Sequence, residues 1–234
     1  MSNDATLQNL YPGMRKTTEA PADLNARLVD SVRTKVHAHR EVVDQFFDAN
    51  GEELVAVAAS LASSYRHGGR LFTMGNGGSS CDAAHLAVEF LHPVTAGRPA
   101  LPAVDLSADR AMLSAVGNDV GFEHVFARQL IALAHEGDCL IGFSTSGSSA
   151  NLTRAFRRAK EMQLVTVGMA GKSGGEMIAM GLDHCLLVET DSIHRIQECH
   201  LIAYHVLWDL VHTMLAGDRE AAGGQRVRRE ASRP

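Results

Sequence analysis

Three groupings in this 234-residue chain have residue types and spacings suited to chemistry. The first is His85 and Glu89, four apart, with Asp82 one turn earlier. On a helix that spacing puts the imidazole and the carboxylate on one face, one turn from each other. Such a pair can share a metal ion. The second is a pair of small polar loops, Gly75-Asn76-Gly77-Gly78-Ser79-Ser80 and Ser144-Thr145-Ser146-Gly147-Ser148-Ser149. Each follows a short apolar run and precedes a helical pattern. A helix N-terminus there offers free N–H groups and the positive end of the dipole. Glycine lets the backbone approach an anion, and hydroxyls add donors without bulk. Taken singly, either loop is equally well explained as an N-cap turn. Taken together they make a cradle suited to a sugar phosphate. Neither has the G-x-x-x-x-G-K-[ST] spacing, which disfavours a nucleoside triphosphatase. The third grouping is Gln197, Glu198, His200 and His205 on an otherwise apolar last helix. Gln197 and His205 are separated by about 12 Å of rise and roughly 80° of turn. One ion reaches both only through extended side chains, and a site completed by a neighbouring subunit is the alternative. His67, His92, His124, His135 and His184 read as ordinary core or surface histidines. Met162, Met169, Met177, Met180 and Met214 read as core filler.

The elements that must position these groups follow from the hydrophobic pattern. Leu24, Leu28, Val32 and Val36, then Val42, Val43, Phe46 and Phe47, recur at helical spacing over 22–49. Asn50-Gly51 reads as a break. A second helix carries Leu54, Val57, Leu61 and Tyr65 and stops at His67-Gly68-Gly69. Beyond it, strands are expected at Leu71–Met74, Leu101–Leu106, Cys139–Phe143, Leu164–Met169 and Cys185–Val188. Helices are expected at Ser79–Leu91, Arg110–Val116, Glu123–Ala134, Ser149–Met162, Gly175–Met180 and about Ile193–Leu215. Strands alternating with helices imply parallel β–α–β units and an α/β layered domain. Residues 1–21 read as a loose extension, 22–217 as a single domain, and 218–234 as a disordered, solvated tail with no partner.

Composition sets the outer bounds. A hydrophobic fraction of 45% and a charged fraction of 21% are those of a folded globular chain. A net charge of −5 with 5% aromatic residues disfavours nucleic acid as a partner. No apolar run reaches the roughly 18 residues of a membrane span. Cys81, Cys139, Cys185 and Cys199 form no C-x-x-C pair and read as buried free thiols in a reducing compartment. The opening MSNDATLQNL lacks the pattern of a secretory signal, so a cytoplasmic location is expected.

From about Val42 to Leu215 the chain resembles the sugar isomerase (SIS) superfamily, and within it the phosphoheptose isomerases. The resemblance rests on ordered motifs: G-N-G-G-S, C-D-A-A-H-x-A-x-E, R-P-x-L-P-A, A-V-G-N-D-x-G-F, S-T-S-G-x-S-x-N, G-K-x-G-G and R-I-Q-E-x-H, with a histidine eight residues after the Gln. It implies a flavodoxin-like three-layer sandwich with a five-stranded parallel sheet. Two leading helices and a long C-terminal helix would complete the fold, in a homotetramer with sites at subunit interfaces. It implies a zinc site from His85, Glu89, Gln197 and His205. It implies sugar-phosphate binding by Asn76, Gly77, Gly78, Ser79, Glu89, Asn118, Asp119, Ser144, Thr145, Ser146, Ser149 and Gln197. Glu89 and His205 are the implied acid–base pair, interconverting sedoheptulose 7-phosphate and D-glycero-D-manno-heptose 7-phosphate. The chain departs from the family pattern at His194, along Phe90–Gly97 including Pro93, at Ser148 and at Met169-Ala170. These positions fall near the expected pocket rim. Two other readings follow from the same superfamily: an isomerase of another sugar phosphate, and a non-catalytic sugar-phosphate-binding or protein-binding tetramer.

Overall fold

The computed structural model describes residues 21–231, with side chains described over 24–217. The extension expected over 1–21 lies outside the described residues except for Pro21, which begins the first helix. The side chains of the tail expected over 218–234 also lie outside them. The described residues divide into a unit that ends at Arg40 and a unit that begins at Glu41. In the first, the helical segment exposes Leu28, Val32 and Val36, four residues apart on one face.

The elements are α1 (Pro21–Arg66), β1 (Leu71–Gly75), α2 (Gly78–Leu91), β2 (Ala103–Asp105), α3 (Arg110–Asp119), a 3-10 turn (Phe122–His124), α4 (Val125–Leu133), β3 (Cys139–Ser144), α5 (Ala150–Glu161), β4 (Val165–Gly171), α6 (Gly175–Ala179), β5 (His184–Val188) and α7 (Ile193–Ala231). The five expected strands are all present. They form one all-parallel sheet in the order β2-β1-β3-β4-β5. Alternate residues serve opposite faces. Leu71, Ile141, Phe143, Val167 and Met169 pack toward one core together with α2 and α7 residues such as Leu86, Phe90, Ile196, Tyr204 and Leu207. Phe72, Met74 and Leu140 pack toward a second core with Phe126, Leu130, Leu152 and Phe156 of α4 and α5. Burial on both faces explains why the strands read as short continuous apolar runs.

Two expectations need correction. The break at Asn50-Gly51 does not occur: α1 is one continuous helix. Asn50 Nδ2 donates to Phe46 O (2.9 Å) in the preceding turn and to Leu187 O (3.4 Å) on β5, while its Oδ1 accepts from Leu187 N–H (3.3 Å). The side chain read as a helix breaker instead joins the helix to the main chain of the edge strand. Cys81 is exposed on α2, whereas Cys139 and Cys199 are buried and Cys185 is half-buried; all four are free. Cys81 falls on the solvent side of a helix whose opposite face meets the sheet.

A second anchor joins the same helix to the same strand. His184 lies between Glu53 Oε1 (2.9 Å from Nδ1) and Ser60 Oγ (2.8 Å from Nε2). The order Glu–His–Ser is that of a hydrolase triad, but Ser60 sits mid-helix, where neighbouring N–H groups are committed to the helix and no oxyanion hole forms. The histidine is satisfied structurally. Among the described residues, no helix is long and apolar enough to cross a membrane.

His200 gives this core an acid-sensitive element. It is fully buried on α7 beside Phe143 (ring centroids 5.8 Å), and its Nε2 meets Ala170 O at 3.3 Å. Desolvation lowers its pKa to about 4, with the Ala170 hydrogen bond opposing. Above the unfolded-state value of roughly 6.5 the ring is neutral in both states and costs nothing. Below it the unfolded chain takes up a proton that the folded chain refuses, so stability falls by about 1.4 kcal/mol per pH unit until about pH 4. In urea melts from pH 7 to pH 4, His200→Leu is expected to flatten that slope. An unchanged slope would remove His200 as its source.

Candidate functional site

The two polar loops leave neighbouring strands at their carboxyl ends. Gly75 of β1 stands opposite Phe143 of β3. The chain goes from β1 to β2 on one side and enters β3 on the other, so the loops flank the point where strand order reverses. Open parallel sheets bind ligands in the crevice at that point. A reciprocal amide pair spans it: Asn76 Nδ2 donates to Asn151 Oδ1 and Asn151 Nδ2 donates to Asn76 Oδ1, both at 2.9 Å.

The N-cap explanation of these loops does not hold. No side chain caps α2 at Gly77 or α5 at Ser149. The Ser149 hydroxyl lies 3.3 Å from that of Ser144, which also accepts from Gly147 N–H at 3.1 Å. Ser79 and Ser144 are buried, Thr145 and Ser149 half-buried, and Gly77, Gly78 and Ser146 exposed. Gly147 has φ +65°, and a Cβ there would collide with the carbonyl of Gly174. The G-K-x-G-G turn therefore supports the second loop, and Met177 N–H donates to Gly147 O (2.9 Å).

Gln197 of α7 reaches the first loop. A Cβ on residue 78 would collide with its amide nitrogen, so glycine is needed there for this approach. Asn118 and Asp119 are exposed at the C-terminal end of α3, where Asn118 Nδ2 donates to Asp119 Oδ1 (2.8 Å). Among the described residues, no hydrogen bond joins these two to the loops.

Two turns along α2, the first grouping meets the third. One ligand atom from each of His85, Glu89 and His205 lies within 4.8 Å of the others, so the three could hold a metal ion. His85 Nε2 is 3.1 Å from Glu89 Oε1, and the rings of His85 and His205 are 5.0 Å apart, nearly perpendicular. One chain supplies all three, without the neighbouring subunit that the spacing on α7 left open. The imidazole of His205 is held neutral more strongly than a free one, by desolvation first and then by His85, with Glu89 opposing. Asp82 sits one turn before His85. Its Oδ2 is buried without a hydrogen-bond partner, and desolvation raises its pKa to about 6 while His85 pulls it down.

Residue patterns did not single out three members of this assembly. Asn151 ends the S-T-S-G-x-S-x-N motif, and its place there is the signal that could have found it. Tyr204 and Trp208 lie in the apolar stripe of α7. Tyr204 OH is 2.7 Å from His85 Nδ1, and Trp208 Nε1 donates to Glu89 O at 2.8 Å.

The SIS domain model matches residues 36–171. A phosphoheptose isomerase of Geotalea daltonii is 38% identical over 192 residues, covering 82% of this chain and 100% of that protein. The chain belongs to the phosphoheptose isomerase family. A second member, from Roseiflexus, is 38% identical over 197 residues, 84% of this chain and 98% of its own length. Among solved structures, a phosphoheptose isomerase from Neisseria gonorrhoeae superposes with a TM-score of 0.75 at 34% identity, covering 80% of this chain and 99% of that one. One from Francisella tularensis gives 0.76 at 32% identity, covering 79% and 98%. Family membership accounts for the SIS fold and for the order of the motifs along it.

Proposed function

We propose that this chain is an aldose–ketose isomerase that interconverts sedoheptulose 7-phosphate and D-glycero-D-manno-heptose 7-phosphate. The observation that carries the reading is the convergence of His85, Glu89 and His205 within 4.8 Å. Two of the three, His85 and Glu89, lie on the helix that begins at the first polar loop. Gly78 and His85 are seven positions apart, about 10 Å along α2. That span suits a substrate with a phosphate at one end and a carbonyl at the other. A purely binding protein has no need of an acid–base pair at the far end.

Two imidazoles and a carboxylate are a donor set typical of zinc. His85, Glu89 and His205 would hold one divalent ion, with Gln197 as the fourth ligand. When bound, the ion would polarise the carbonyl oxygen and stabilise charge developing on it. The chain's own groups do the rest. Glu89 takes the carbon-bound proton next to the carbonyl, leading to an enediol, and returns a proton to the neighbouring carbon, while His205, neutral at pH 7, moves the hydroxyl proton from one oxygen to the other. Asn76, Gly77, Gly78, Ser79, Ser144, Thr145, Ser146 and Ser149 hold the sugar phosphate, with Asn118 and Asp119 contributing from α3. Binding at the phosphate fixes the reacting carbons relative to Glu89.

The working form is a homotetramer with sites near subunit contacts. Val88 and Leu91 on α2, on either side of Glu89 in sequence, and Leu201 on α7, one turn before His205, are exposed apolar residues, and His205 is itself exposed. A second copy would cover them.

The test is to incubate zinc-loaded protein with sedoheptulose 7-phosphate and follow the aldose product by NMR. Conversion supports the reading. Activity only on another ketose phosphate would change the substrate, and binding without turnover would favour a regulatory role. A Gly78→Ala variant offers a finer check. The new methyl displaces the Gln197 amide, a flexible end, so the fold should survive with an unchanged melting curve. kcat/KM is expected to fall about 10- to 100-fold, the scale of a small misplacement in a site.

A further inference from the structure

Two hydrogen bonds join α7 to α2 in matching register. Tyr204 OH to His85 Nδ1 and Trp208 Nε1 to Glu89 O each span 119 residues. The two side chains on α7 are one turn apart, as are the two residues they hold on α2.

Each bond answers a specific need. In a continuing helix, Glu89 O would accept from the N–H of residue 93. That residue is Pro93, which has none. The indole N–H of Trp208 takes its place. Trp208 is itself clamped. The Arg98 guanidinium lies 4.7 Å from its ring centroid, and Arg98 also bonds Asp209 through Oδ1 (2.5 Å) and the main-chain oxygen (3.3 Å).

Tyr204 answers a different need. It is 1% exposed, packed edge-on against Phe143 (5.9 Å) and His85 (5.4 Å). A carboxylate only accepts hydrogen bonds, so while His85 Nε2 faces Glu89 the ring proton sits on Nε2 and Nδ1 accepts from the phenol. If Nε2 gives its lone pair to a metal, the proton must sit on Nδ1 and the partner there must accept. A hydroxyl does both; an apolar side chain does neither.

We propose that Tyr204 and Trp208 are positioning residues for the isomerase site. Tyr204 orients His85 in either tautomer, and Trp208 fixes the Glu89 backbone where Pro93 leaves it without an intrahelical donor. The proposal rests on the reading of His85, Glu89 and His205 as the metal-holding catalytic group.

The test uses the full chain. Tyr204→Phe keeps the buried ring and removes the hydroxyl. Zinc affinity, measured by chelator competition with the metal alone, is expected to fall about 10- to 100-fold, the usual cost of losing an outer partner of a ligating histidine. Trp208→Phe is expected to lower kcat roughly tenfold with KM for sedoheptulose 7-phosphate within about twofold. Adding Pro93→Ala to that variant gives residue 93 an N–H and lets the helix extend through His92, which now stands outside helical geometry (φ −137°, ψ 69°), to bring that N–H to Glu89 O; most of the loss should be recovered. A merely structural tryptophan would show neither the kcat-against-KM split nor the rescue. If Trp208→Phe does not fold, Arg98→Ala loosens the indole without removing it and should lower kcat in the same direction.

Zinc affinity of Tyr204→Phe within about threefold of the parent would overturn the role of Tyr204, and failure of the Pro93→Ala rescue that of Trp208. A parent protein that binds no zinc and converts no sugar phosphate would overturn the functional reading along with both. A parent that does both, with variants that match it, would overturn the positioning roles alone.

Discussion

Glu89→Gln is expected to lower kcat for the isomerisation by about 10²–10⁴-fold, the range that a positioned general base supplies. The substitution keeps the shape of the side chain and removes its charge and basicity. Glu89 is 20% exposed at its side chain, 3.1 Å from His85 Nε2, and its backbone is held by Trp208. It cannot reach solvent freely or swing away, so no water or neighbouring carboxylate readily replaces it. Gln also weakens any metal at the site. kcat is therefore measured at zinc concentrations that saturate the variant, with occupancy checked by metal analysis. The two polar loops proposed to hold the phosphate are untouched, so KM should move only a few-fold. A kcat within about threefold of the parent at full occupancy would take Glu89 out of the proton-transfer role. Loss that disappears on raising zinc would leave Glu89 as a ligand alone.

The parts of this site that were legible in the sequence were the local ones. The pairing of His85 with Glu89 needs only the helical period. The two loops need only a strand before and a helix after. The alternation of apolar runs with amphipathic stretches was enough for five parallel strands. What was not legible depends on contacts far apart in the chain. Asn50-Gly51 has the local signature of a helix stop. Only the main chain of Leu187, 137 residues away, shows why the helix continues. Along α7 alone, Gln197 and His205 are too far apart to show what they share. With α7 packed on α2, His205 meets His85 and Glu89, while the Gln197 amide lies against Gly78, two turns up α2, and reaches the same ion only as an extended side chain. Tyr204 and Trp208 are large and apolar enough to pass for core residues, and their polar atoms matter only once α2 is beside them. Pro93 was the one local sign of Trp208. A proline four residues after Glu89 leaves a carbonyl without its helical donor, and a half-buried carbonyl needs another.

Gly147→Ala carries the second large effect, and it acts through the backbone. At φ +65° any residue with a Cβ pays a conformational cost, and here the new methyl would also meet the carbonyl of Gly174, which cannot rotate away as a side chain could. The two costs together come to about 2–4 kcal/mol. They fall where the second loop rests on the turn before α6, held by Met177 N–H to Gly147 O. Relief requires the loop to lift off that turn. This moves Ser144, whose hydroxyl accepts from Gly147 N–H, and with it the row of hydroxyls through Ser149. Thermal melting should therefore drop by several degrees, and KM should rise well beyond the change seen for Glu89→Gln. The two variants separate the halves of the site: one loses turnover with binding kept, the other loses binding at the phosphate end while His85, Glu89 and His205 keep their zinc affinity. If Gly147→Ala weakens zinc as much as it weakens the sugar phosphate, the loop and the three ligands behave as one cooperative element, and the division of labour along α2 would be wrong.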